Sequence, residues 1–333
     1  MQKLKNFKPI LVISGEPYSV FNEIFFKSLK RKSVRNIKSP ILLIGSKNLL
    51  LQHMKKLGYK FKIKSINYKN IENEILDKKY INIINVNFKF NKIFDKISSN
   101  STNYIRYSFS IALKVLKKIK IAGLINGPIS KKHFKIKNFI GVTEYLAKLN
   151  KKESEEVMLI FNKSLSVSPL TTHIPLKNVS KSITKNKIIK NVKTIYSFYR
   201  SRLKRKKIRF AITGLNPHCE SKYLINEEKK HIIPAIKFLK FKKYDVKGPI
   251  PTDTLFIKKV RDNFDVIIGM YHDQVLTPIK TLYEFNAINL TLGLDFIRIS
   301  PDHGPNNNDL GKNISNPQSL VESFKMIDKI NAI

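Results

Sequence analysis

"FDVIIGMYHDQVLTPIK", residues 264–280, decides how the chain is read. Val266, Ile267 and Ile268 are β-branched and apolar, the composition of a strand buried on both faces of a parallel sheet. The run ends without a turn glycine, in Tyr271-His272-Asp273-Gln274. A core strand therefore delivers an imidazole and a carboxylate at its carboxyl end. In open α/β sheets, ligands collect beyond the carboxyl ends of strands. Two other stretches repeat the pattern: "SVSPLTTHIPL" carries a β-prone run to His173, and "IRFAITGLNPHCE" carries a strand out to His218.

Working outward, strand and helix patterns alternate. Residues 9–14 ("PILVIS") and 40–44 ("PILLI") read as buried parallel strands, with a helix from Ser19 to Leu29 after the first. In 103–119, Ile105, Phe109, Ala112 and Leu116 share one helical face, and the strand "IAGLIN" follows. In 186–204, Ile188, Val192, Ile195 and Tyr199 make the same stripe ahead of "IRFAITG". Further strands are expected at 265–270, 287–291 and 296–300. Residues 65–100, crowded with Asn and Lys, read as irregular. The class is α/β, without internal repeats or a long linker.

The 333 residues can bury one large core or two ordinary ones. Lys+Arg number 63 against 24 Asp+Glu, a formal charge of +39. Such a balance suits a polyanion binder. Yet the lysines are spread over the whole length and outnumber the arginines, and only "RSRLKRKKIR" (200–209) is dense. Compositional drift is the preferred reading, and specific nucleic-acid binding is not expected. The apolar run near the amino terminus is too short for a signal peptide, and no stretch approaches the ~20 apolar residues of a membrane span. One cysteine, Cys219, excludes an internal disulfide and a thiolate cluster, so a cytoplasmic protein is expected.

Each of the three histidines, taken alone, reads as a hydrogen-bonded loop residue. Together, at three strand ends, they suit a catalytic metal site, because three neutral imidazoles leave coordination positions open. Asp273 and Asp253 are candidates either for fixing imidazole tautomers or for capping turns. Downstream, Lys280, Asn289 and Arg298 would suit a phosphorylated or carboxylated small molecule.

With those residues in place, the chain resembles the 4-hydroxythreonine-4-phosphate dehydrogenase family of pyridoxal phosphate biosynthesis. The matching stretches are "NGPISK", "GVTEYL", "TTHIPL", "GLNPH", "GPIPTDTLF", "MYHDQVLTPIK", "NLTLGLDFIR" and "PDHG", in family order. The resemblance implies one catalytic unit over 8–328. It would fold as two α/β subdomains around a cleft, as in isocitrate- and isopropylmalate-type dehydrogenases, in a homodimer that shares its active sites. It implies a divalent metal (Zn, Mg or Co) on His173, His218 and His272, and substrate contacts from Thr143, Lys280, Asn289 and Arg298, with Lys280 also a candidate for proton transfer. "HGPNNNDLGKNISNP" is similar to a dinucleotide loop and would bring His303 and Gly304 to NAD or NADP. The implied reaction oxidises 4-phosphohydroxy-threonine to a β-keto acid that decarboxylates to 3-amino-2-oxopropyl phosphate.

The chain departs from the family where Val142 replaces a substrate-contacting histidine, and where the glycine-rich opening has become "SGEPYSVFNE". Two alternatives follow: a dehydrogenase of a related four-carbon hydroxy-acid phosphate, and a basic nucleic-acid-associated protein on a degenerate enzyme scaffold.

Overall fold

The computed structural model describes residues 7–130, 155–220, 226–301 and 303–332. Val142 and the expected substrate contact Thr143 lie outside the described residues. The chain divides into two compact units, Met1–Tyr145 with Asp295–Ala332, and Leu146–Leu294.

In the first unit, with strands numbered along the chain, β1 (Ile10–Ile13), β2 (Ile41–Gly45), β3 (Ile63–Ser65), β4 (Ile81–Asn85), β5 (Gly123–Asn126) and β12 (Arg298–Ser300) line up as β3-β4-β2-β1-β5-β12. All their pairings are parallel. β1 is buried along its whole length, as its unbroken "ILVI" requires. The helix Ser101–Lys118 buries Ile105, Phe109 and Ala112 of the expected stripe together with Val115. The first and last helices, Phe21–Lys30 and Gln318–Ala332, meet through Phe25 and Phe324, whose rings lie 6.4 Å apart. The loops leaving β1 and β5 run close together: a Cβ on Gly127 would stand 2.2 Å from the Ser14 carbonyl oxygen, so only glycine fits there.

Residues 65–100, expected to be irregular, contain β4. Asn82, the second residue of "INIIN", masks it, because a polar residue breaks the apolar run. That Asn82 is fully buried and satisfied: Nδ2 donates to Ile41 O (3.1 Å) and Asp77 O (2.9 Å), and Oδ1 accepts from Asp77 N (3.0 Å). The amide thus joins the preceding turn to the neighbouring strand instead of facing water.

In the second unit, β6 (Val157–Phe161), β7 (Ser166–Thr171), β8 (Phe210–Thr213), β9 (Val246–Ile250), β10 (Val266–Tyr271) and β11 (Ile288–Leu292) line up as β11-β6-β7-β10-β8-β9. β7, β10, β8 and β9 are parallel, while β6 runs antiparallel to both its neighbours. The helix Lys185–Arg202 starts at Thr184, whose hydroxyl accepts from Lys187 N, and buries Ile188, Val192, Ile195 and Tyr199.

The helix His272–Tyr283 follows β10 with no intervening loop. Local pattern predicts no helix there, because Pro278 stands inside it. Its stability comes from packing: Val275, Leu276 and Ile279 are buried with Val167 and Ile267, each side chain contributing about 1.5–3 kcal/mol. No helix among the described residues is long and apolar enough to cross a membrane.

Candidate active site

β7, β10 and β8 are consecutive neighbours in their sheet, and each delivers a histidine beyond its carboxyl end. His173 follows β7, His272 opens the helix after β10, and His218 lies in the turn after β8. The rings of His173 and His272 come within 5.8 Å of each other, centroid to centroid, at an interplanar angle of 41°. His272 Nδ1 lies 2.6 Å from Asp273 Oδ1. Asp273 thereby fixes the ring and leaves Nε2 as the nitrogen that His272 can offer a cation. Asp253, the other carboxylate considered, accepts from Thr254 N at 2.8 Å within the short helix Thr252–Leu255.

His218 is held differently. It has φ +58° and Cys219 has φ +59°, two successive non-glycine residues in the left-handed region. The turn folds back so tightly that a Cβ on Gly214 would lie 2.7 Å from Cys219 Sγ. Burial raises the Cys219 thiol pKa, which makes it a packing group and not a ready nucleophile.

Two side chains that the sequence pattern does not single out hold this turn. Glu228, buried in the π-helical turn Glu228–Ile232, accepts from Leu215 N (2.8 Å) and Asn216 N (2.9 Å) through Oε1, and from Asn216 Nδ2 (2.8 Å) through Oε2. Gln274, also buried, accepts from Thr213 Oγ1 (2.9 Å) and Met270 N (2.6 Å) and donates to Gly214 O (2.7 Å). Gln274 therefore ties the end of β8 to the end of β10, the two strands that carry His218 and His272. Its only signal in the sequence is its place in "YHDQ".

Among the described residues, no group of three His, Cys, Asp or Glu side chains gathers closely enough to hold a metal. The chain brings His173 and His272 together as two imidazole donors, while His218 stays outside that pair.

Lys280 and Asn289 lie elsewhere in the same unit. Lys280 is eight residues beyond His272 on one helix, about 12 Å of rise. It is half-buried, and desolvation lowers its pKa below the ordinary lysine value. Asn289 pairs with Ile160, and Ile160 with Val167, so its register falls short of the β7 end by the four residues from Val167 to Thr171. In the first unit Arg298 opens β12 and is 3% exposed. Its Nε donates to Asn126 Oδ1 at 2.8 Å, which aims the guanidinium along the sheet toward the carboxyl end of β5. Asn126 begins the "NGPISK" stretch, and its role as the arginine's partner is visible only in the fold.

The expected cofactor loop in the first unit is anchored on the loop after β1. Val20 N donates to Pro305 O (3.1 Å) and Asn307 Nδ2 donates to Tyr18 O (3.1 Å). Gly304 is exposed, and among the described residues Asn306 Oδ1 alone comes within reach of an added Cβ, at 3.4 Å. Behind the β1 loop, Glu16 is 2% exposed. Its Oε2 accepts from Ser101 Oγ at 2.9 Å and its Oε1 has no hydrogen-bond partner among the described residues. Burial pushes this carboxyl up to about 7.

The family model for pyridoxal phosphate biosynthetic protein PdxA matches residues 36–327. The chain belongs to the PdxA family. It is 36% identical, over 95% of its length and 96% of the relative's, to the 4-hydroxythreonine-4-phosphate dehydrogenase of Sulfurihydrogenibium sp. (strain YO3AOP1). The crystal structure of a 4-hydroxythreonine-4-phosphate dehydrogenase from Burkholderia phymatum superimposes with TM-score 0.78 at 27% identity, covering 97% of this chain and 98% of that one. The enzyme of the same name from Klebsiella pneumoniae gives TM-score 0.81 over 98% of both chains, and its 24% identity is evidence of shared fold. This PdxA member is thus an α/β protein of an oxidoreductase family. The matched span of the family model reaches into both compact units.

Proposed function

We propose that the chain is a metal- and nicotinamide-dependent 4-hydroxythreonine-4-phosphate dehydrogenase acting in pyridoxal phosphate biosynthesis. The observation that carries this reading is the delivery of one histidine from each of three neighbouring strand ends, two of them already paired. The family match and the similarity to named dehydrogenases favour the enzyme over the nucleic-acid reading.

His173, His218 and His272 would hold the divalent metal. The donor set fits: neutral imidazoles suit zinc and similar cations, and Asp273 orients one of them. His173 and His272 supply two ligands from one chain, and His218 stands apart from them. That arrangement supports a homodimer in which histidines of two chains complete the coordination. When bound, the metal would act as a Lewis acid on the substrate hydroxyl and on the carbonyl formed from it.

The protein's own groups would do the rest. Arg298, held at Nε by Asn126, would bring its fixed guanidinium charge to a substrate anion. Lys280 and Asn289, set back from the histidine end, would bind the other anionic portion, with Thr143 completing the contacts. The lowered pKa of Lys280 also fits it to move a proton near neutral pH more readily than a surface lysine. The loop with His303 and Gly304, fixed against the β1 loop, would hold NAD or NADP, since its exposed glycine leaves room for close approach.

The test is turnover. Purified protein reconstituted with zinc, magnesium or cobalt is mixed with 4-phosphohydroxy-threonine and NAD or NADP, and reduced nicotinamide is followed. Reduction that requires both metal and substrate is expected. No reduction with any metal and either nucleotide would contradict the reading.

A further inference from the structure

Away from the strand ends that carry the candidate chemistry, the first unit has a groove with a cavity volume of about 290 Å³. It lies along the amino ends of β2, β4 and β3, lined by Pro40 and Ile41, by Tyr80 and Ile81, and by Phe61 and Lys62. These strands are adjacent and parallel, so the groove occupies the sheet edge opposite their carboxyl ends. None of the residues assigned to metal, substrate or nucleotide lines it.

Its chemistry is sorted. The floor is apolar and rigid: Phe25, Val34 and Ile81 are buried lining residues, and Phe61 belongs to an aromatic stack. Phe61 lies 5.9 Å from Phe26 and 6.3 Å from Tyr59, at interplanar angles of 23° and 13°. The rim is cationic: Arg35, Lys62, Lys78 and Lys79 stand along it, and no carboxylate among the described residues lines the groove. One wall is fixed in advance, because Asp328 Oδ1 accepts from Lys38 N (2.8 Å) and Ser39 N (2.9 Å), and Asn331 Nδ2 donates to Ser39 Oγ (3.0 Å). A preformed concave site of this size, apolar with a few convergent charges, has the build of a small-molecule pocket.

We infer that this groove binds a planar aromatic anion, its ring against the Phe61 floor and its phosphate, sulfonate or carboxylate among Arg35, Lys62 and Lys79. Flat rings gain from stacking on an exposed aromatic face, and clustered cations select a negative head group. A neutral ligand would leave the rim charges unused, and a compact inorganic anion would leave the floor uncovered.

The probe is 8-anilinonaphthalene-1-sulfonate, with neutral N-phenyl-1-naphthylamine as its uncharged counterpart, titrated by fluorescence into the full chain. Two variants separate the contributions. Lys62→Glu with Lys79→Glu changes only exposed positions, and Leu29→Trp fills the groove from a partly exposed lining position. Saturable binding of the sulfonate by the wild type is expected, weakened by about tenfold or more in the charge-reversal variant and lost in Leu29→Trp, with circular dichroism unchanged in both. Equal affinity for the neutral analogue, or sulfonate binding that neither variant alters, would overturn the proposal.

Discussion

Gln274 Nε2 donates to the Gly214 carbonyl at 2.7 Å, and this bond helps connect the turn bearing His218 to the helix that begins at His272. The same side-chain amide accepts from Thr213 Oγ1 and Met270 N. Every polar atom of the bridge lies at the junction of two strand ends, where water has little access and an unmade hydrogen bond is costly.

Removing the bridge should therefore affect both stability and metal affinity. Gln274→Ala orphans the Gly214 carbonyl and the Met270 amide, for an expected loss of about 2–4 kcal/mol in urea unfolding. Gln274→Glu keeps the acceptor and loses the donor, so it should fall between wild type and alanine. A wild-type unfolding curve for Gln274→Ala would show that the bridge adds nothing to stability.

Glu228 is expected to act on His218 alone. Its carboxylate fixes two successive backbone N–H groups ahead of the strained turn. Glu228→Ala should weaken metal binding by about 10–100-fold through a misplaced His218. The spacing of His173 and His272 should be untouched, as read by cobalt-substituted absorption spectra together with titration. Unchanged affinity would remove Glu228 from the positioning role.

The buried Glu16 predicts a pH dependence with a definite sign. Its folded pKa, pushed up to about 7 from an ordinary 4.5, means that the folded state holds a proton the unfolded state has released between those values. Stability from this group is therefore full below about 4.5, falls as pH rises toward about 7, and is flat above that. The total is about 3 kcal/mol. Glu16→Gln, which cannot ionise, should be more stable than wild type at pH ~8 and lack that part of the slope. Parallel urea melts across this range would measure it, and identical slopes for both proteins would contradict it.

Arg298 and Lys280 should separate in kinetics. Arg298→Lys retains charge but loses the planar fork held by Asn126, so KM should rise by about tenfold or more with a smaller change in kcat. For Lys280, whose pKa is lowered by burial, Lys280→Arg should move the alkaline limb of the pH–rate profile upward, because arginine stays charged. A limb that does not move would assign it to another group.

The α/β class and the helices Ser101–Lys118 and Lys185–Arg202 were legible in the sequence because their apolar residues recur at helical spacing and face a sheet. β4 and the helix His272–Tyr283 were not, because Asn82 and Pro278 violate local rules that tertiary structure overrides. The three histidines stood out because β-branched runs lead straight to them. Their supports did not. Glu228 and Gln274 act through backbone groups of other strands, and nothing local distinguishes a bracing glutamate from the solvated acids of a basic chain. Arg298 was conspicuous as a charge in an apolar strand, whereas its partner Asn126 needed the β5–β12 pairing to be recognised.

The central claim, that His173, His218 and His272 hold the catalytic metal, is tested most directly by metal content. Wild type, the three single alanine variants and the triple alanine variant are loaded with zinc, desalted and analysed by inductively coupled plasma mass spectrometry, with sedimentation to record the assembly state. The wild type is expected to retain stoichiometric zinc, and each variant to lose most of it while keeping its fold. Full zinc retention in the protein lacking all three imidazoles would contradict the claim.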